Sequence, residues 1–196
     1  MITIEDVKRL REETGVGMMD CKQALVSAEG DLEKAKEILR EAGKMLLAQQ
    51  EGREATEGRV ESYVHHSGKV GVLLEIATNT DFAANSDELR SFARDVSMHI
   101  AASSPRYVSA QDVPEDEREE LRDAYRREAE EEGKPAGIIE KIVEGKMNKL
   151  NTELCLLEQP FVKDDTQTVG DLLAALRSKT GENIAVRRFA RFEVGA

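Results

Sequence analysis

A strand that runs into a helix through one short corner is the feature that most limits how this chain can fold. Val70-Gly71-Val72-Leu73-Leu74-Glu75-Ile76 is a mostly apolar run of the kind that is buried in a sheet. Asn79-Thr80-Asp81-Phe82-Ala83-Ala84-Asn85 follows it, and Ser86 is placed to cap the helix beyond. Such a corner holds side chains outward on a rigid base. Here it offers the Asp81 carboxylate beside the Phe82 ring. One competes for hydrogen-bond donors and the other fills a slot, which suits a wedge pushed into a partner better than catalysis. The plainer reading is a helix cap with a hydrophobic staple, and the pair alone does not decide between the two.

Around that corner the chain alternates strand and helix signals. Val60 to His66 and Lys69 to Ala77 read as a hairpin about a Ser67-Gly68 turn. Ser86 to Ser104 reads as an amphipathic helix with Leu89, Phe92, Ala93, Val96 and Ile100 on its apolar stripe. Pro114 opens a strongly acidic helix with a thin stripe of Leu121, Tyr125 and Ala129, expected to be exposed and lightly packed. Pro135 starts further helical stretches through Ile139, Val143, Met147 and on to Leu157. Thr168 and Asp171 resemble a capping box before Leu172, Leu173 and Leu176, and Gly181 ends that helix. Ile184 to Val194 reads as a closing strand. Residues 58–196 are thus expected to form an α+β core domain, with a roughly three-stranded antiparallel sheet and several helices.

The N-terminal part reads differently. Thr3 with Asp6 resembles a capping box, and Ile4, Val7 and Leu10 then recur on one face. Thr14-Gly15-Val16-Gly17 ends that helix, with glycine supplying a left-handed corner. Met18 to Ala28 forms a second helix with Ala24 and Leu25 inward. Gly30-Asp31 stops it and caps a third, which carries Leu32, Ala35, Ile38 and Leu39. Residues 1–43 are therefore expected to be a three-helix bundle of the ubiquitin-associated type, and 44–57 a polar, helical linker.

Charge and composition narrow the function. The net charge of −11 argues against nucleic acid as the main partner, because phosphate binding needs Lys/Arg surfaces. Residues 115–132 alone carry ten acidic side chains against four arginines, a local charge of −6. No apolar run approaches the roughly 20 residues of a membrane span. Met1 to Asp6 lacks the core of a signal peptide, and Cys21 and Cys155 lie far apart without metal spacing, so reduced, buried thiols in a cytoplasmic protein are expected. His65 and His66, adjacent on a strand, would point to opposite faces, and His99 adds no ligand spacing, so no metal or other cofactor is expected. Nothing marks a nucleophile–base pair or a carboxylate pair, so no enzyme is expected.

Four segments now align with one family. Thr14-Gly15-Val16-Gly17-Met18-Met19-Asp20-Cys21-Lys22 with Ala24-Leu25 resembles the N-terminal signature of bacterial translation elongation factor Ts. Thr80-Asp81-Phe82 resembles its central motif, and Leu156-Leu157-Glu158-Gln159-Pro160-Phe161-Val162 and Val186-Arg187-Arg188-Phe189 resemble its C-terminal signatures. The length is similar to the short form, with one core subdomain and no inserted coiled-coil hairpin.

The resemblance implies a guanine nucleotide exchange factor for the GTPase elongation factor Tu, with no catalytic chemistry of its own. It implies that Phe82 enters a pocket beside the partner's nucleotide site, that Thr80 and Asp81 belong to that contact, and that the shift disturbs Mg²⁺ and phosphate. It implies docking of Met18, Met19 and Lys22 on the partner's nucleotide-binding domain. A homodimer is expected of a short form with one core subdomain. Two departures stand out. Ala83-Ala84-Asn85 follows the motif where the family usually has Val-Ala and a basic residue, and Leu47-Ala48-Gln49-Gln50 replaces a lysine-bearing stretch. The rival from another class is a binding adaptor, whose affinity for its partner would ignore GDP and survive Phe82→Ala.

Overall fold

The structure, a computed structural model, describes residues 2–14, 17–50 and 55–195, and only the backbone over 42–50. Its elements are α1 (Ile4–Thr14), α2 (Met18–Ser27), α3 (Leu32–Gln50), β1 (Glu57–Val64), β2 (Val70–Thr78), α4 (Asp81–Ala84) and α5 (Asp87–Ser103), then α6 (Glu115–Glu131), α7 (Ala136–Leu154), β3 (Pro160–Phe161), β4 (Asp164–Thr168), α8 (Val169–Thr180) and β5 (Ala185–Glu193). Two compact units result. One comprises Met1–Glu61, Leu74–Arg94 and Leu172–Arg187, the other Ser62–Leu73, Asp95–Asp171 and Arg188–Ala196.

In the first unit, α1, α2 and α3 form the small bundle. The Thr3 N–H donates to Asp6 Oδ2 at 2.9 Å and the Asp6 N–H to Thr3 Oγ1 at 3.2 Å, a reciprocal cap that satisfies two otherwise orphaned amides. Asp31 Oδ1 accepts from the Glu33 and Lys34 amides at 3.0 and 3.1 Å, starting α3. Val7, Leu10, Cys21, Ala24, Leu25, Ala28, Ala35 and Leu39 bury one another. Lys36 Nζ lies 2.7 Å from both Glu13 and Glu33, tying α3 to α1. Ile4, expected on the inner face, is instead 70% exposed, while Ile2 packs against the core. Gly17 has φ −55, so the corner before α2 does not depend on it for a left-handed conformation, and Gly15 and Val16 lie outside the described residues. α3 runs without a break through Gly43 to Gln50, so the helical part of the expected linker is the same helix as the third of the bundle.

The sheet has the order β1-β2-β5 and is antiparallel, as expected. The His65 N–H donates to the Val70 carbonyl and the Val194 N–H to the Lys69 carbonyl, both at 2.9 Å. At Gly58 a Cβ would collide with the Ile76 carbonyl, so β1 approaches β2 more closely than any side chain allows. β1 ends at Val64. His65 and His66 therefore leave the strand and its alternation, and their rings lie 4.0 Å apart instead of on opposite faces. Leu74, Ile76, Leu89, Phe92, Leu173 and Ile184 are buried in the first unit.

The second unit holds an antiparallel helical hairpin that the length of the chain did not suggest. α6 is acidic outward, yet Ala129 is buried against Ile139, Val143 and Met147, with Leu121, Tyr125, Ile142 and Leu150 packed alongside. The thin stripe of α6 suffices because α7 brings a wider one. Arg126 Nη2 meets Glu140 Oε1 at 3.0 Å across the pair. β3 and β4 form a small second sheet with a register irregularity, also absent from the expectation. The Thr168 N–H donates to Asp171 Oδ2 and the Asp171 N–H to Thr168 Oγ1, both at 3.0 Å, so the expected box at the start of α8 is formed.

Candidate functional site

The corner after β2 is built from below. Thr78 is fully buried, and its Oγ1 donates to the Thr80 carbonyl at 2.8 Å. Thr80 is extended (φ −130, ψ 149), and its Oγ1 accepts from the Ala83 N–H at 3.2 Å, capping the single turn α4. Ala83 and Ala84 are 3% and 4% exposed and pin the inner side of that turn. Asn85 closes the turn, its Nδ2 donating to the Asp81 carbonyl at 2.9 Å. Ser86 Oγ accepts from the Leu89 N–H at 3.2 Å and begins α5.

Phe82 is left 84% exposed on this base. Burial of a Phe side chain stabilises a fold by roughly 1.5–3 kcal/mol, and Phe82 contributes almost none of that to its own chain. Among the described residues no group pairs with the Asp81 carboxylate. A single exposed apolar side chain is ordinary. An exposed ring beside an unpaired carboxylate, on a turn braced by buried neighbours and three threonine hydrogen bonds, is an arrangement ready for a partner.

Met18, Met19 and Lys22 gather elsewhere, on α2. The inward positions of that helix are taken by Cys21, Ala24 and Leu25, so both methionines face out, at 40% and 74% exposure. With Ile2, Ile4 and Val26 they line a groove of about 440 Å³. Methionine is unbranched and adaptable, which fits a contact surface. Lys22 forms no ion pair among the described residues and leaves a free cation at the rim of the groove. A third exposed set in the second unit has Val64, Leu73 and Phe192 on the strands and Val194 just past the end of β5.

Sequence reasoning placed Thr80, Asp81 and Phe82 on one corner and Met18, Met19 and Lys22 on one helix, and the structure has both groups. It missed Thr78 and Glu182, which support the corner, and Ile2, Ile4 and Val26, which complete the groove. Glu182 accepts from Thr80 Oγ1 at 3.0 Å across 102 positions, and no local spacing announces such a contact. Among the described residues no trio of His, Cys, Asp or Glu gathers as metal ligands, and no helix is long and apolar enough to cross a membrane.

A sequence model of the family described as "Elongation factor TS" matches residues 27–196. The elongation factor Ts of Carboxydothermus hydrogenoformans is 55% identical over 195 residues, covering 100% of this chain and 90% of that protein. That of Caldanaerobacter subterraneus subsp. tengcongensis is 51% identical, covering 100% and 98%, and that of Acetivibrio thermocellus 53%, covering 100% and 91%.

Proposed function

The chain belongs to the elongation factor Ts family of translation elongation factors, and on that premise we propose that it is the guanine nucleotide exchange factor of elongation factor Tu. The observation that carries this reading is the Phe82 ring, 84% exposed on a braced turn beside an Asp81 carboxylate that no described residue pairs with. Phe82 enters an apolar slot beside the partner's nucleotide, with Thr80 and Asp81 holding the contact, and the displacement loosens Mg²⁺ and phosphate. Met18, Met19 and Lys22 dock on the partner's nucleotide-binding domain. The protein does no bond chemistry, needs no cofactor, and works in the cytoplasm.

The effect is a coupling between two sites. If this chain weakens the partner's hold on GDP, GDP weakens the partner's hold on this chain by the same factor. GTP then refills the site and releases the factor. Each tenfold acceleration of GDP release requires lowering its barrier by about 1.4 kcal/mol. A desolvated aromatic anchor is worth about 2–4 kcal/mol on truncation, enough for one to three such decades. Mg²⁺ is a large local charge, so its disturbance adds to the same end.

The chain also acts as a homodimer, with Val64, Leu73, Phe192 and Val194 as the shared apolar face. The test of exchange is stopped-flow release of a fluorescent GDP analogue from elongation factor Tu, with the native chain and with Phe82→Ala. Acceleration by the native chain and its loss in the variant are expected. A variant as active as the native chain overturns the wedge, and no acceleration by either overturns the function.

A further inference from the structure

We infer that Glu182 is a positioning residue, which sets the aim of the Asp81-Phe82 corner through the hydroxyl of Thr80; its functional consequence rests on the exchange reading above. Thr80 Oγ1 has one proton and two lone pairs. The proton goes to Glu182 Oε1 at 3.0 Å, which leaves a lone pair facing the Ala83 N–H at 3.2 Å. A hydroxyl that donates to a carboxylate is polarised into a better acceptor, so the first bond strengthens the second. Ala83 is the third residue of α4, where an amide has no acceptor within its own helix. Among the described residues its partner is that hydroxyl.

Glu182 is itself held. α8 ends at Thr180, Gly181 turns the chain with φ +69, and the Glu182 N–H donates to Thr180 Oγ1 at 3.3 Å. Two positions later Ile184 is fully buried. The carboxylate thus leaves a fixed turn and, in a solvent-exposed hydrogen bond, reaches a residue 102 positions earlier. From the other side the buried Thr78 hydroxyl holds the Thr80 carbonyl. Thr80 is clamped at both its side chain and its backbone, and Asp81 and Phe82 leave the chain directly after it. Without Glu182 the hydroxyl donates to water instead, its hold on the Ala83 amide weakens, and the turn that carries Phe82 samples other directions.

The test uses the full chain with Glu182→Ala and with Glu182→Gln, whose side-chain carbonyl still accepts from Thr80. Amide hydrogen exchange of the chain alone is the first readout. Exchange at Ala83 should rise about three- to tenfold in E182A and stay near native in E182Q, the size expected for one polarised hydrogen bond. Unchanged Ala83 exchange in E182A overturns the inference, whatever the exchange activity. Stopped-flow GDP release from elongation factor Tu at saturating factor is the second. The maximal rate should fall about three- to tenfold in E182A and recover in E182Q, with half-saturation nearly unchanged. A loss shared by E182Q, or one confined to half-saturation, overturns positioning. Phe82→Ala in the same series separates the two claims. If it exchanges like the native chain, the wedge fails, while Ala83 protection still decides what Glu182 does.

Discussion

His99 and Gln159, 60 positions apart, meet in the interior of the second unit with His99 Nε2 and Gln159 Oε1 at 2.9 Å. The Val162 N–H donates to His99 Nδ1 at 3.2 Å, so that nitrogen carries no proton and the ring is neutral with its proton on Nε2. Gln159 passes the chain on, its Nε2 donating to the Glu153 carbonyl at 2.7 Å. Burial pushes the His99 pKa below its ordinary value, against the opposing pull of Gln159. As pH falls, the unfolded chain takes up this proton before the folded one. Stability is therefore fully present above the unfolded value of about 6.5 and declines as pH drops toward the folded pKa. Urea unfolding between pH 7.5 and 5.5 should show this decline, and His99→Gln should flatten it at lower overall stability. An equal slope in the variant would assign the titration elsewhere. Asp6, Glu13, Glu88 and Asp164 are all held below their ordinary carboxylate values, so they bear on more acidic solutions.

At Gly58 the obstacle to any side chain is backbone, the Ile76 carbonyl, which cannot swing aside as a flexible side chain would. Gly58→Ala should cost about 1–3 kcal/mol in denaturant unfolding, the usual range for overpacking. The same substitution at Gly71, which meets nothing within 4 Å, serves as the control and should move stability far less.

Met19 is 74% exposed and lies outside the bundle core. Met19→Asp should leave the thermal unfolding of the free chain within about 0.5 kcal/mol of native, as surface changes usually do. Titration calorimetry with nucleotide-free elongation factor Tu should show at least tenfold weaker binding. Equal affinity would remove α2 from the interface.

Phe192 and Val194 are 67% and 73% exposed beside Leu73 and Val64, an apolar set that water alone does not favour. Phe192→Asp should convert a dimer into a monomer in sedimentation equilibrium at micromolar concentration. A native chain that sediments as a monomer would disprove the homodimer outright.

What was legible in the sequence was local. Thr3 with Asp6, Asp31, Ser86, and Thr168 with Asp171 sit within four positions of the amides they serve, so spacing alone announces the caps and with them the helix starts. The corner at Thr80 was legible for the same reason. The contacts that aim it were not, because Thr80 and Glu182, like His99 and Gln159, lie far apart in the chain and meet only in the folded molecule. The α6–α7 hairpin was hidden by chemistry instead. Ten acidic residues in 115–132 suggest a solvated helix, and only the partner stripe of Ile139, Val143 and Met147 shows that one side is dry. His65 and His66 misled because the strand stops two residues earlier than its alternation suggests.

The exposure of Phe82 also has a thermal consequence. Water around an apolar ring has a raised heat capacity, about 0.45 cal/mol/K for each Å² exposed, and the free chain carries that excess at every temperature. Taking the ring into an apolar slot gives the excess up, so association grows more exothermic on warming. Phe82→Ala removes part of that slope without changing the core, so the temperature dependence of the binding heat reports how completely the ring is dried.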